Sequence, residues 1–266
     1  MQKTSIAVYS CFFGDPEPYN VGSLGNGQGY DRILFTDRKD IQPDGVEIRH
    51  RSAVALGPMF ESRRAKILPH RELPEYDWAI YVDNRASLQC APADLIQKLG
   101  GDKAKPGRYV FRHLDREMVR DELDECFRMG HLSEDQWSAL DDLFTRAKLS
   151  NDLKLTHNAI LIYKAGDSAT EKMSELWFDL FLHYSKRDQL TMQVAEHLTG
   201  SPAIRMDGKL GDIAEWPVYW PEQRADSMQV LPVENPYPKY SLARLKFDRM
   251  QQRKQDAIAA RRSRRT

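Results

Sequence analysis

Tyr76-Asp77-Trp78-Ala79-Ile80-Tyr81-Val82-Asp83-Asn84-Arg85 is the stretch on which the fold reading turns. From Tyr76 to Asp83 it is short, largely apolar and rich in aromatic and β-branched residues. That pattern fits a strand buried on both faces, as in a parallel sheet covered by helices. The strand ends in an acid. In open α/β sheets ligands bind outside the carboxyl ends of the strands, so Asp83 stands where chemistry would be done.

The flanking sequence repeats the pattern. Ser5 to Phe13 reads as a buried strand stopped by Gly14-Asp15-Pro16. Arg32–Asp37, Gly45–Arg49, Arg108–Arg112 and Asn158–Tyr163 read as further strands, and Ala203–Met206 as a late one. Helices are expected at Phe60–Leu68, ended by Pro69, and at Ala93–Leu99, closed by Gly100-Gly101. A helical stretch from Arg116 to Leu149 is divided at Gly130 and Ser133, where Ser133-Glu134-Asp135-Gln136 has capping-box spacing. Ser168–Tyr184 and Asp188–Leu198 complete the set. Such alternation predicts an α/β class: a mostly parallel central sheet flanked by helices on both faces, with a basic C-terminal tail. The domain reading is one catalytic domain over 1–241, with a helical insertion at about 114–152, and a helical or disordered tail over 242–266. Trp216 to Tyr240, rich in Pro and aromatics, is expected to wrap over the core.

Composition narrows the class. The chain has 266 residues, 41% hydrophobic and 29% charged, enough for one substantial core and a hydrated surface. No apolar run of roughly 18 residues exists, so no membrane span is expected. The segment after Met1 lacks the long apolar region and cleavage site of a signal peptide. Three cysteines without a CxxC pair, Cys11, Cys90 and Cys126, read as reduced thiols of a cytoplasmic protein. Net charge is zero, yet Arg244 to Thr266 carries nine Lys/Arg against two Asp. This tail is therefore about +7 and the remainder about −7. There is no Walker A sequence, no GxGxxG after the first strand, no HExxH and no GxSxG.

Candidate site residues follow from strand ends and charge spacing. A carboxylate at Asp83 can hold Mg2+ or Mn2+ together with substrate phosphates, though Asp is also favoured at strand ends as a turn residue. Asp37 can accept hydrogen bonds from a base or ribose, or simply cap a turn. Arg63 and Lys66, three apart on one helix, can grip a diphosphate or form a solvated face. Arg187-Asp188-Gln189 opens a helix, so Asp188 is either an N-cap or a carboxylate at the pocket mouth. His157 is a candidate metal or phosphate contact, although a lone histidine is more often structural or a hydrogen-bonding surface residue.

In order along the chain, these segments resemble the glycosyltransferase-like domain family of the plant mucilage-related and turgor-regulation-defect proteins. The matching residues are Val8-Tyr9-Ser10-Cys11-Phe12-Phe13-Gly14-Asp15, Phe35-Thr36-Asp37, Arg63 with Lys66, Pro69 and His70, then Tyr76-Asp77 with Ile80 and Asp83. Phe111, His113, Arg116 and Glu117 follow, then Asn158 and Arg187-Asp188-Gln189-Leu190. The sequence departs at Asn84-Arg85, which leaves a second metal ligand unnamed, and at His157, where an acid is common in the family. The resemblance implies a GT-A-like fold and a transferase moving a sugar from a nucleotide-diphosphate sugar, a UDP-sugar as first choice, to an acceptor. It implies a divalent cation, Mn2+ or Mg2+. In that reading Asp83 and His157 hold the metal. Tyr9, Asp37, Arg63, Lys66, His70, Asn84, Asn158 and Arg187 line the nucleotide-sugar site, and Asp188 and Gln189 are catalytic. The alternatives are a non-catalytic nucleotide-sugar or nucleic-acid binding module, a metal-dependent nuclease, and a DNA-base glycosyltransferase that holds nucleic acid through the 242–266 tail.

Overall fold

The structure is a computed structural model; it describes residues 4–14, 18–113, 117–150, 153–185, 187–218 and 242–263. The strands are β1 (Ile6–Phe12), β2 (Asp31–Thr36), β3 (Glu47–His50), β4 (Trp78–Val82), β5 (Ser87–Leu88), β6 (Gly107–Arg112), β7 (Thr156–Lys164), β8 (Ile204–Arg205) and β9 (Ala214–Glu215). The helices are α1 (Pro58–Ile67), α2 (Pro69–Glu72), α3 (Pro92–Lys98), α4 (Val119–Arg128), α5 (Glu134–Arg146), α6 (Ser168–Tyr184), α7 (Asp188–Thr199) and α8 (Leu242–Ser263).

Seven strands form one sheet in the order β3-β2-β1-β4-β7-β6-β8, and β5 pairs with β9 in a small second sheet. Every neighbouring pair in the large sheet is parallel except β4–β7 and β7–β6, so β7 alone runs against the rest. This is the mostly parallel, helix-flanked α/β fold that the sequence predicts. β1 and β4 are buried at every position, because helices or loops cover both faces of the sheet. One face packs Tyr9, Phe35, Tyr81 and Leu161 against α1, α4, α5, α6 and α7. The other packs Val8, Ile80, Tyr109 and Ile162 against α3 and the β5–β9 side.

Local signals act as expected. The Ser133 side chain accepts from the Gln136 N–H while the Gln136 side chain caps the Ser133 N–H, a capping box that starts α5. Gly100 closes α3 with a left-handed φ of 107°, a conformation that strains any residue with a Cβ. The tail is helical as α8: it buries Phe247, sets Ala257 and Ile258 against the core, and Lys254 donates to the Phe127 carbonyl at 2.9 Å. The wrap expected over 216–240 lies almost wholly outside the described residues, as do Asp15, Arg116 and Arg264-Arg265. Among the described residues no helix is long and apolar enough to cross a membrane, and the three cysteines are free thiols.

Candidate functional site

Helix α1 and the first residue of α7 bring opposite charges together above the carboxyl end of β4. Lys66 Nζ lies 2.6 Å from Asp188 Oδ2, and Arg63 Nε lies 3.4 Å from Oδ1. The pair is sequestered: the Lys66 side chain is 3% exposed and that of Asp188 10%. Lys66 also sits 5.0 Å over the Tyr81 ring, so its stem crosses the apolar face of the sheet to reach its partner. Asp188 is held from behind, since the Trp177 indole N–H donates to its carbonyl at 2.9 Å. Burial alone would raise the Asp188 pKa. The Lys66 and Arg63 cations outweigh it and hold the carboxyl well below the usual range. Burial pulls the Lys66 ammonium below its ordinary value, with Asp188 opposing.

Asp83 faces the same group, because its charge acts on both Arg63 and Lys66. Its Oδ1 accepts the Arg85 N–H at 3.0 Å. Among the described residues it makes no ion pair, unlike Asp188. The inner wall is a polar ladder from β7 and α7. Gln189 Nε2 donates to the Thr156 carbonyl at 3.1 Å, Gln193 Nε2 to Thr156 Oγ1 at 2.8 Å, and Thr156 Oγ1 to Asn158 Oδ1 at 2.9 Å. Asn158 Nδ2 stands 3.5 Å from Asp188 Oδ2. Asn158 can face this side because β7 bulges: one step on β6, Val110 to Phe111, spans four on β7, Leu161 to His157. Such a bulge re-aims side chains at a sheet rim. Arg187 approaches from the flank, its Nη2 3.4 Å from Glu122 Oε1, which also accepts the Cys126 thiol at 3.2 Å.

The structure thus brings Arg63, Lys66, Asp83, Asn158, Arg187, Asp188 and Gln189 to one place. Asp37 is at the rim, where its Oδ1 accepts the Gly14 N–H at 2.8 Å. With Lys39, His50, Arg51, Ser52 and Pro58 it lines an open cleft of about 550 Å3. Three other candidates have different duties. Tyr9 is 1% exposed in the core, with its ring against Phe35 and Tyr81 and its hydroxyl donating to the Lys66 carbonyl at 3.3 Å. It supports α1 from beneath. His70 pairs with Glu175 at 2.6 Å and lies beside Tyr163, away from the carboxyl end of β4. Asn84 is a latch: its Oδ1 accepts the Asn20 N–H and its Nδ2 donates to the Pro18 carbonyl, both at 2.9 Å.

The metal assignment divides. His157 is buried and lies against His113 and Trp216, and its Nδ1 accepts the Ala159 N–H at 3.3 Å. It packs with the far side of the sheet, whereas Asp83 is turned toward α1. Among the described residues no group of three His, Cys, Asp or Glu is placed to hold a metal. In this group Asp83 is the carboxylate that could ligate a hard divalent cation.

No family model and no curated protein matches this chain. Among solved structures it is similar to the apo form of WbbM, a bifunctional glycosyltransferase, at 11% identity and a TM-score of 0.48. The likeness covers 73% of this chain and 38% of that one.

Sequence reasoning missed Trp177, Thr156, Glu122 and Arg108. Glu122 left a usable signal: it sits among Val119, Leu123, Cys126 and Phe127 on the buried face of α4, where an acid needs a partner. Trp177 and Arg108 left none, because a tryptophan in an amphipathic helix and an arginine near a strand start are ordinary.

Proposed function

We propose that this protein is a glycosyltransferase that takes a sugar from a nucleotide-diphosphate sugar. The observation that carries the reading is the cluster at the carboxyl end of β4. There one carboxylate that makes no ion pair among the described residues, Asp83, stands beside the Arg63–Lys66–Asp188 group. The ordered motif resemblance from Val8 to Leu190 supports the same reading and favours the plant mucilage-related and turgor-regulation-defect type of domain.

The chemistry follows from charge. Transferring a sugar from a diphosphate leaves an anion, and stabilising it is an electrostatic task for preorganised groups. Arg63 and Arg187 provide donors suited to phosphate oxygens. Lys66 and Arg63 are offset by the Asp188 and Asp83 carboxylates together, so the side chains alone leave the site near neutral. A divalent cation held by Asp83 and the donor phosphates would supply the missing charge as a Lewis acid. The base and ribose would occupy the cleft at Asp37, Lys39 and His50. Asp188, ionised and weakly basic, is a poor general base at neutral pH. Its place is to face the positive charge that develops on the sugar, with the Gln189 amide beside it.

The test is turnover. UDP- and GDP-sugars are incubated with wild type, Asp83→Ala and Arg63→Ala, and release of the nucleotide is followed. Wild-type release with Mn2+ that falls by about 10²-fold or more in Asp83→Ala supports the assignment. Substantial turnover by Asp83→Ala removes it.

A further inference from the structure

We infer that Arg108, which neither the motif resemblance nor the charge pattern singles out, is a positioning residue that sets both halves of the Lys66–Asp188 pair. Its functional consequence rests on the transferase reading above.

Arg108 is on β6, 1% exposed, and its guanidinium makes no ion pair with a carboxylate among the described residues. Nη2 donates to the Ile67 carbonyl at 2.7 Å and to Ser174 Oγ at 2.9 Å. Nε and Nη1 have no hydrogen-bond partner among the described residues. A buried guanidinium satisfied on one nitrogen is costly. What it contributes lies in the groups that it places.

Two contacts give the placement. Ile67 is the last residue of α1 and follows Lys66 directly, so Arg108 caps an end carbonyl of that helix with a positive charge, the sign its C-terminus favours. The Tyr9 hydroxyl donates to the neighbouring Lys66 carbonyl at 3.3 Å, so both carbonyls are gripped from the core. On its other side the guanidinium lies 5.2 Å from the centre of the Trp177 ring. That indole is the one whose N–H holds the Asp188 carbonyl. One buried side chain thus fixes the backbone beside the cation and the ring behind the anion. Lys66 and Asp188 come from separate helices, and Arg108 is the element that touches a support of each.

The test uses the whole chain with Arg108→Met and, as a milder change, Ser174→Ala, which removes one acceptor of the guanidinium. Lys66 accessibility is read as its rate of modification by an amine-reactive reagent, resolved by mass spectrometry. UDP and GDP affinities are read by calorimetry, and folding by urea unfolding. The expected result is an unchanged or higher urea midpoint for Arg108→Met, Lys66 modified roughly tenfold faster or more, and nucleotide affinity lower by a similar factor. Ser174→Ala should shift both readouts the same way by a few-fold. Lys66 modified at the wild-type rate in both variants overturns the inference. So does a loss of urea stability in Ser174→Ala that by itself accounts for faster labelling. If Arg108→Met does not fold, Ser174→Ala and Arg108→Lys decide, the latter expected between wild type and Ser174→Ala in Lys66 rate. If the wild-type protein binds neither nucleotide, the transferase reading fails, while Lys66 labelling still decides whether Arg108 positions the pair.

Discussion

Removing the two members of the buried Lys66–Asp188 pair should have unequal effects. In Lys66→Met, Asp188 keeps Arg63 at 3.4 Å, with the Arg187 charge also acting on it. The carboxylate stays compensated, and the cost should be that of one charged hydrogen bond, about 1.5–3 kcal/mol, offset in part by better apolar packing over Tyr81. In Asp188→Asn, Lys66 at 3% exposure and Arg63 lose their shared counter-ion and face each other. Breaking a buried pair from that side costs about 3–5 kcal/mol. For a domain of this size each kcal/mol moves the melting temperature by about 2–4 °C. The Asn variant should therefore melt about 6–20 °C below wild type. Its deficit should also depend on pH. Without Asp188 the Lys66 ammonium titrates further below the unfolded value of about 10.4. The unfolded chain then binds more protons over that window, so stability recovers as pH rises through the folded pKa toward about 10. Urea unfolding of both single variants and the double variant at pH 7 and 9.5 reads all three effects. Equal losses for the two single variants, or losses that simply add in the double variant, would refute the view that Asp188 is the shared counter-ion.

Further predictions concern the surroundings of the pair. Because the folded pKa of Asp188 is depressed, its contribution is complete above the unfolded carboxylate value of about 3.9. It is lost as pH falls through the lower folded value. The urea midpoint between pH 5 and 2 should fall more steeply for wild type than for Asp188→Asn, and parallel profiles would count against the shift. Asn84→Leu should cost about 2–3 kcal/mol by removing both ends of the latch on residues 18–20. A thermal shift under 2 °C would show that Asn84 does not hold that loop. Glu122→Gln keeps the shape of the buried acceptor but weakens its hold on Arg187. Nucleotide affinity should fall a few-fold with little change in stability, and an unchanged affinity would place Arg187 outside the site.

The sheet and its charged rim were legible because the signals are local. Short apolar runs ended by Gly14, Asp37 and Asp83 mark both strands and rim, and Ser133 with Gln136 marks a helix start. Strand direction was not legible. Ala159–Tyr163 is as apolar as Trp78–Val82, and a buried run carries no sign of whether it runs with or against its neighbours. The bulge that re-aims Asn158 is likewise invisible in composition. Arg63 and Lys66 were legible as a shared helix face, but their burial was not, since a basic helix face is usually solvated. Tyr9 and His70 matched a motif, yet their side chains support α1 and tie α2 to α6. Arg108, Trp177 and Glu122 act through contacts between elements distant in the chain, and no spacing rule reaches those.

The most direct measurement of the central claim is calorimetric titration of wild type and Asp83→Ala with UDP, GDP and their sugars, each with and without Mn2+. Wild type should bind one nucleotide series in a Mn2+-dependent way, and Asp83→Ala should lose the metal dependence and most of the affinity. A folded wild-type protein that binds none of them, or binding indifferent to both Mn2+ and Asp83, would contradict that claim.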